Sequence, residues 1–177
     1  MRRIVLLRGI NLGPRRRVPM AALRALLGEA GYEDVRTYVQ SGNVVLDSPA
    51  APAELESDLG RLLAEGFGFA VPVVSRTAEE LAGVVRLNPL GERATEPKRY
   101  QVSFLDREPS PAVIETLSEL AIEPEAVAVA GREIYAWHPD GVARSKLWNK
   151  LAGGSLGVTA TARNWTTVLA LHEMVND

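Results

Sequence analysis

The run Arg8-Gly9-Ile10-Asn11-Leu12-Gly13-Pro14-Arg15-Arg16-Arg17 carries four guanidinium groups and two glycines without a single acid. Guanidinium forks match the oxygens of phosphate or carboxylate, and glycines let a backbone approach such a ligand closely. The run joins the apolar stretch Ile4 to Leu7 to a helix that Pro19 opens. Free amides at a helix start favour an anion there. The Gly-Lys-Ser/Thr ending of a P-loop and the glycine triad of a dinucleotide fingerprint are both missing. Gln40-Ser41-Gly42-Asn43 reads first as a hairpin turn whose polar side chains can also position a ligand. Arg144-Ser145-Lys146 and Thr161-Ala162-Arg163-Asn164 place cations near two further helix starts. A cation gains nothing from the dipole there unless an anion or an acid lies close. The candidate anion ligands are therefore Arg8, Asn11, Arg15, Arg16, Gln40, Asn43, Lys146, Arg163 and Asn164. For Lys146 and Arg163 a salt bridge to the acidic strip Asp47, Glu54, Glu56, Asp58 and Glu65 is an equal reading.

Catalytic chemistry is less legible. Ser145 and Lys146 are adjacent helical positions and do not face each other. Gly-x-Ser-x-Gly is absent, and Glu79 with Glu80 is explained by helix capping. His138 and His172 lie far apart, neither with a partner at metal-ligand spacing, and there is no cysteine. Disulfides, thiolate metal sites and a cysteine nucleophile are excluded, no metal site is expected, and no cofactor is identified. Tyr100, Val102 and Phe104 share one strand face, and Tyr135 and Trp137 another. Such aromatics can stack bases on a sheet, but core packing is the stronger reading.

The elements that must position these residues recur twice. Ile4 to Arg8 is a strand covered on both faces, because its apolar residues are consecutive. A helix follows from Pro19, with Met20, Leu23, Leu27 and Ala30 on one face, and Gly31 stops it. Val35 to Gln40 alternates as an edge strand does, and Asn43 to Asp47 returns from the turn. A helix from about 53 to 65, a short strand over 71–74 and the capping box Thr77-Ala78-Glu79-Glu80 complete the first unit. The second repeats the order with a strand at Tyr100 to Leu105 and a helix opened by Ser110-Pro111. A hairpin over 126–137 turns at Gly131-Arg132, a helix holds Lys146 to Leu151, and a last helix begins near Asn164. The expected fold is α+β, with two tandem ferredoxin-like β-α-β-β-α-β units, each with an extra helix. The division falls at residues 1–86, a linker over 87–98, and 99–177.

Charged residues make up 24% of the chain and apolar ones 46%, a globular composition. The net charge of −2 conceals eight arginines against three acids between Arg2 and Arg36, and four cations without an acid between Arg144 and Arg163. No apolar run approaches the ~20 residues of a membrane span, and the short apolar N-terminal stretch does not suit a signal peptide. A cytoplasmic location and no membrane partner are expected.

Four segments make the chain resemble the bacterial family called domain of unknown function 1697. They are Leu6-Leu7-Arg8-Gly9-Ile10-Asn11-Leu12-Gly13, Arg36-Thr37-Tyr38-Val39-Gln40-Ser41-Gly42-Asn43-Val44-Val45, Arg144-Ser145-Lys146-Leu147 and Thr161-Ala162-Arg163-Asn164-Trp165-Thr166-Thr167-Val168. The resemblance spans nearly the whole chain and implies ferredoxin-like halves. It carries over no catalytic residue and no cofactor.

The leading expectation is a binding protein for a phosphate-bearing ligand, a nucleotide or single-stranded nucleic acid, held in a cationic pocket between halves. Overall acidity argues against tight duplex binding. One alternative is an enzyme acting on a small anionic metabolite, with arginine as a clamp and Tyr38 or Ser41 moving a proton. Another is a structural protein that forms a homodimer through its sheet.

Overall fold

The computed structural model describes residues 1–177. Fourteen strands and helices follow one another as β1 (Arg2–Leu7), α1 (Met20–Glu29), β2 (Glu33–Tyr38), β3 (Asn43–Asp47), α2 (Pro52–Phe67), β4 (Val73–Thr77), α3 (Ala78–Leu87), then β5 (Tyr100–Leu105), α4 (Pro111–Leu120), β6 (Ala126–Ala130), β7 (Glu133–Trp137), α5 (Lys146–Ala152), β8 (Ala160–Asn164) and α6 (Trp165–Asn176). The two sheets are ordered β2-β3-β1-β4 and β6-β7-β5-β8, with every pairing antiparallel. Two tandem ferredoxin-like units is the architecture.

Compactness divides the chain differently from sequence order. One unit comprises Met1–Ala82 with Ala170–Asp177, the other Gly83–Leu169. Each trailing helix, α3 and α6, therefore begins in one unit and ends in the other.

The consecutive apolar runs are explained by burial on both sheet faces. Val5 and Leu7 of β1 and Val44 and Leu46 of β3 pack with Leu23 and Leu27 of α1 and Leu55, Leu59 and Leu63 of α2. The alternate residues Ile4, Leu6 and Val45 are buried as well. In the second unit Leu105, Ile134 and Ala136 meet Leu117 of α4 and Leu147 and Leu151 of α5. No helix is long and apolar enough to cross a membrane.

Local signals place most boundaries. The capping box closes as its residue types require: Glu80 N–H donates to Thr77 Oγ1 at 3.1 Å, and Thr77 N–H to Glu80 Oε2 at 2.8 Å. Ser110 Oγ accepts from Val113 N–H, with Pro111 at the first helical position. Two elements shift from expectation. The strand expected over 71–74 runs over Val73–Thr77, because polar Ser75 and Arg76 are buried inside it. The edge strand ends at Tyr38 rather than Gln40, since Val39 turns into the left-handed region at φ 50° to start the hairpin.

The aromatic faces are core. Tyr100 stacks on Trp165 with ring centroids 4.9 Å apart and lies near Tyr135. Both tyrosines are buried, which closes them to a stacking base. Burial pushes the Tyr100 phenol from 10.0 up to about 12 and raises Tyr135 too. An acid whose folded pKa is raised contributes stability below its unfolded pKa, and that contribution is lost as pH climbs toward the folded value. Stability should therefore fall between pH 10 and 12 by on the order of 2 kcal/mol from Tyr100. Burial of Arg163, held down to about 10, acts in the opposite sense over the same range. Tyr100→Phe isolates the tyrosine: urea midpoints should drop less steeply above pH 10 than in the unmodified chain. An identical slope would refute the assignment.

Candidate functional site

The β1–α1 loop is a pinned structure. Gly9, Asn11 and Arg16 all adopt positive φ, at 70°, 56° and 56°. For the two non-glycine residues such geometry is strained and persists only where surroundings enforce it. Asn11 N–H donates to Arg16 O at 3.1 Å, closing the loop on itself. The Asn11 side chain accepts from Val18 N–H at 2.8 Å, donates to Val18 O at 2.9 Å, and reaches Gln40 O at 2.7 Å. One amide thus ties the loop to the β2–β3 hairpin. Arg16 is the other staple. Its Nε and Nη2 donate to Gly9 O and Ala70 O, both at 2.8 Å, and its guanidinium lies 4.8 Å from the Phe69 ring centre.

Two of the candidate ligands in this loop are thereby engaged in holding it. Arg15 and Arg17 remain exposed and make no hydrogen bond or ion pair, whereas Arg8 is half-buried and makes contacts of its own. The helix start that follows is bare. Pro19 supplies no side-chain cap to α1, and no acid occupies its first turn.

The neighbouring hairpin is equally built. Asn43 is buried, and its Nδ2 donates to Tyr38 O at 3.1 Å across the turn. Gln40 is exposed and contributes its carbonyl to Asn11. Tyr38 is half-buried at the end of β2, and Ser41 is exposed beside it.

Part of the basic excess near the N-terminus is neutralised within the first unit. Arg2 pairs with Asp34 at 2.8 Å and with Asp47 at 3.6 Å, and Arg36 with Asp34 at 3.5 Å. Arg2 and Arg36 also donate to Met174 O near the end of α6. None of Arg8, Arg15, Arg16 and Arg17 appears in these ion pairs.

In the second unit the candidates scatter in character. Lys146 is exposed at the start of α5. Asn164 caps α6 by accepting from Thr167 N–H at 3.0 Å. Arg163 is buried, donating through Nη1 to Thr161 Oγ1 at 2.7 Å and Ala162 O at 2.8 Å. Arg76 repeats this arrangement on β4: buried, one residue before the helix cap, with Nη1 on the preceding carbonyl, Ser75 O, at 2.8 Å. The duplication thus extends to a matched pair of sheet arginines.

A further cluster was invisible in the sequence. His138 Nδ1 lies 2.5 Å from Glu125 Oε2, and Ser145 Oγ donates to the same oxygen at 2.6 Å. Ser145 Oγ also accepts from Trp148 N–H at 3.0 Å, capping α5. His138 is wholly buried, its ring edge-on to Trp148 at 5.7 Å. Glu125 and Ser145 line a cavity of about 510 Å³ together with Ile122, Pro124, Asp140 and Arg144. The motif Arg144-Ser145 pointed toward this place, but nothing in the sequence tied Glu125 or His138 to it.

Comparison with solved structures finds the conserved bacterial protein SP0830 from Streptococcus pneumoniae, at 24% identity and a TM-score of 0.74. The similarity covers 99% of this chain and 98% of that one, and it supports the fold alone. No curated protein matches. The family described as "Protein of unknown function (DUF1697)" matches residues 1–135, which takes in the pinned loop, the hairpin and the chain from β1 into β7. By that match the chain belongs to the DUF1697 family.

Proposed function

We propose that the protein binds a phosphate-bearing ligand, a nucleotide or single-stranded nucleic acid, at the β1–α1 loop of its first unit. The observation that carries the reading is the contrast within one triplet of arginines. Arg16 is locked onto backbone carbonyls, while Arg15 and Arg17 on either side are exposed and without a protein partner. The lock holds the loop's path fixed, so the two outer guanidinium groups are presented by a rigid frame. A rigid frame lowers the ordering cost of binding. The α1 amides follow without a side-chain cap or an acid, which adds partial positive charge rather than cancelling it.

The test uses ATP and a short oligothymidylate as probes on the full chain. Binding should weaken as salt rises, because phosphate contacts release counterions. The double variant Arg15→Ala/Arg17→Ala should lose roughly tenfold in affinity, the scale of two exposed phosphate contacts, with its melting temperature unchanged. Affinity indifferent to salt, or to the double substitution, would remove the proposal.

A further inference from the structure

We infer that the cavity of the second unit is a separate binding site for a small zwitterion bearing one ammonium and one carboxylate, the amino-acid class. Its size, about 510 Å³, lies within the range of small-ligand pockets. The chemistry of its wall is mixed in a specific way. Ile122, Pro124 and Ala143 supply apolar surface, Glu125 and Asp140 carboxylates, and Arg144 a guanidinium.

Glu125 is the oriented group. Two donors, His138 Nδ1 and Ser145 Oγ, converge on its Oε2 and fix the plane of the carboxylate. Oε1 has no protein partner, and the side chain keeps 18% of its surface exposed. A carboxylate so held presents one ready acceptor, which suits an ammonium with several donors. His138 is buried and acts only through Glu125, so it is a positioning residue. The Ser145 hydroxyl donates to Glu125 and accepts from Trp148 N–H, so it holds the carboxylate in place while capping α5.

Arg144 directly precedes Ser145 in the chain, is exposed, and pairs with no acid of the protein. It is the natural partner for the carboxylate end of the ligand. Two acids against one guanidinium make the lining net negative, which disfavours a phosphate here. The site is therefore chemically distinct from the arginine loop of the first unit.

The experiment is an amide chemical-shift titration of the full chain with each of the protein amino acids at millimolar concentration. Any that binds is then compared with its amine analogue lacking the carboxylate and its acid analogue lacking the amine. At least one amino acid should shift the amides of Gly141, Arg144 and Ser145, and both analogues should bind more weakly. Arg144→Met should weaken binding roughly tenfold. Being a change at an exposed side chain, it keeps the test valid should Glu125→Gln fail to fold. Arg15→Ala/Arg17→Ala should leave this titration unaltered, which separates the outcome from that of the loop. If no amino acid shifts these amides, or the amine analogue binds as well as its parent, the inference is overturned.

Discussion

Gly42→Ala is expected to destabilise the first unit by about 2–5 kcal/mol, combining overpacking with a left-handed backbone penalty. Gly42 sits at φ 80°, and an added Cβ would come within 2.7 Å of Leu7 Cβ and 2.9 Å of Ile10 Cδ1. Ile10 Cδ1 can swing aside, but Leu7 Cβ is fixed to the backbone of β1, whose N–H bonds Gly42 O at 2.9 Å. The strand pair itself would have to part. Gly60→Ala is the control: it lies in α2 with nothing within 4 Å of the added atom, and should gain up to about 1 kcal/mol from helix propensity. Urea midpoints that move equally for the two variants would contradict the contact argument.

Glu125→Ala is the second large effect, at about 2–4 kcal/mol. The substitution deprives two donors at once, the Nδ1 of a wholly buried imidazole and the Ser145 hydroxyl. Leaving a buried polar group unpaired costs about 1–3 kcal/mol each, more than the net worth of the bond itself. A double-mutant cycle with His138→Phe separates this from simple loss of packing. The double variant should be milder than the sum of the singles by at least about 1 kcal/mol, because the stranded partner is then gone. Strict additivity would mean that the two residues do not act as a pair.

Much of the fold was legible because its signals are local. Thr77 and Glu80 cap reciprocally over three residues, Ser110-Pro111 opens a helix, and Gly131 takes φ 58° between strands that pair from Ala130 and Glu133 outward. What escaped depends on partners distant in sequence. Ser75 reads as a strand terminator, yet it lies inside β4 because Glu56 of α2 accepts from both its N–H and its hydroxyl. Val39 reads as the next inward residue of an alternating strand. It is instead half-exposed with positive φ, since the turn from Tyr38 to Asn43 sets the backbone there.

The candidate sites show the same limit. Residue type marked the loop as cationic, but could not tell that Arg16 would bond carbonyls while Arg15 and Arg17 stay outward. Asn11 and Asn43 read from the sequence as polar ligands, and the structure uses their amides to close backbone turns. Glu125, His138 and Ser145 are separated by 13 and 7 residues and belong to no recurrent spacing. Only the folding of β6 and β7 into a hairpin brings them to one oxygen atom.

The membership of Ala170–Asp177 in the first compact unit has a consequence for biosynthesis. Arg2 and Arg36 find an acceptor in Met174 O, 172 and 138 residues further along the chain. The first unit lacks part of its own structure until the residues of α6 have been made. Every residue of the second unit, Gly83–Leu169, is therefore synthesised before the segment that completes the first.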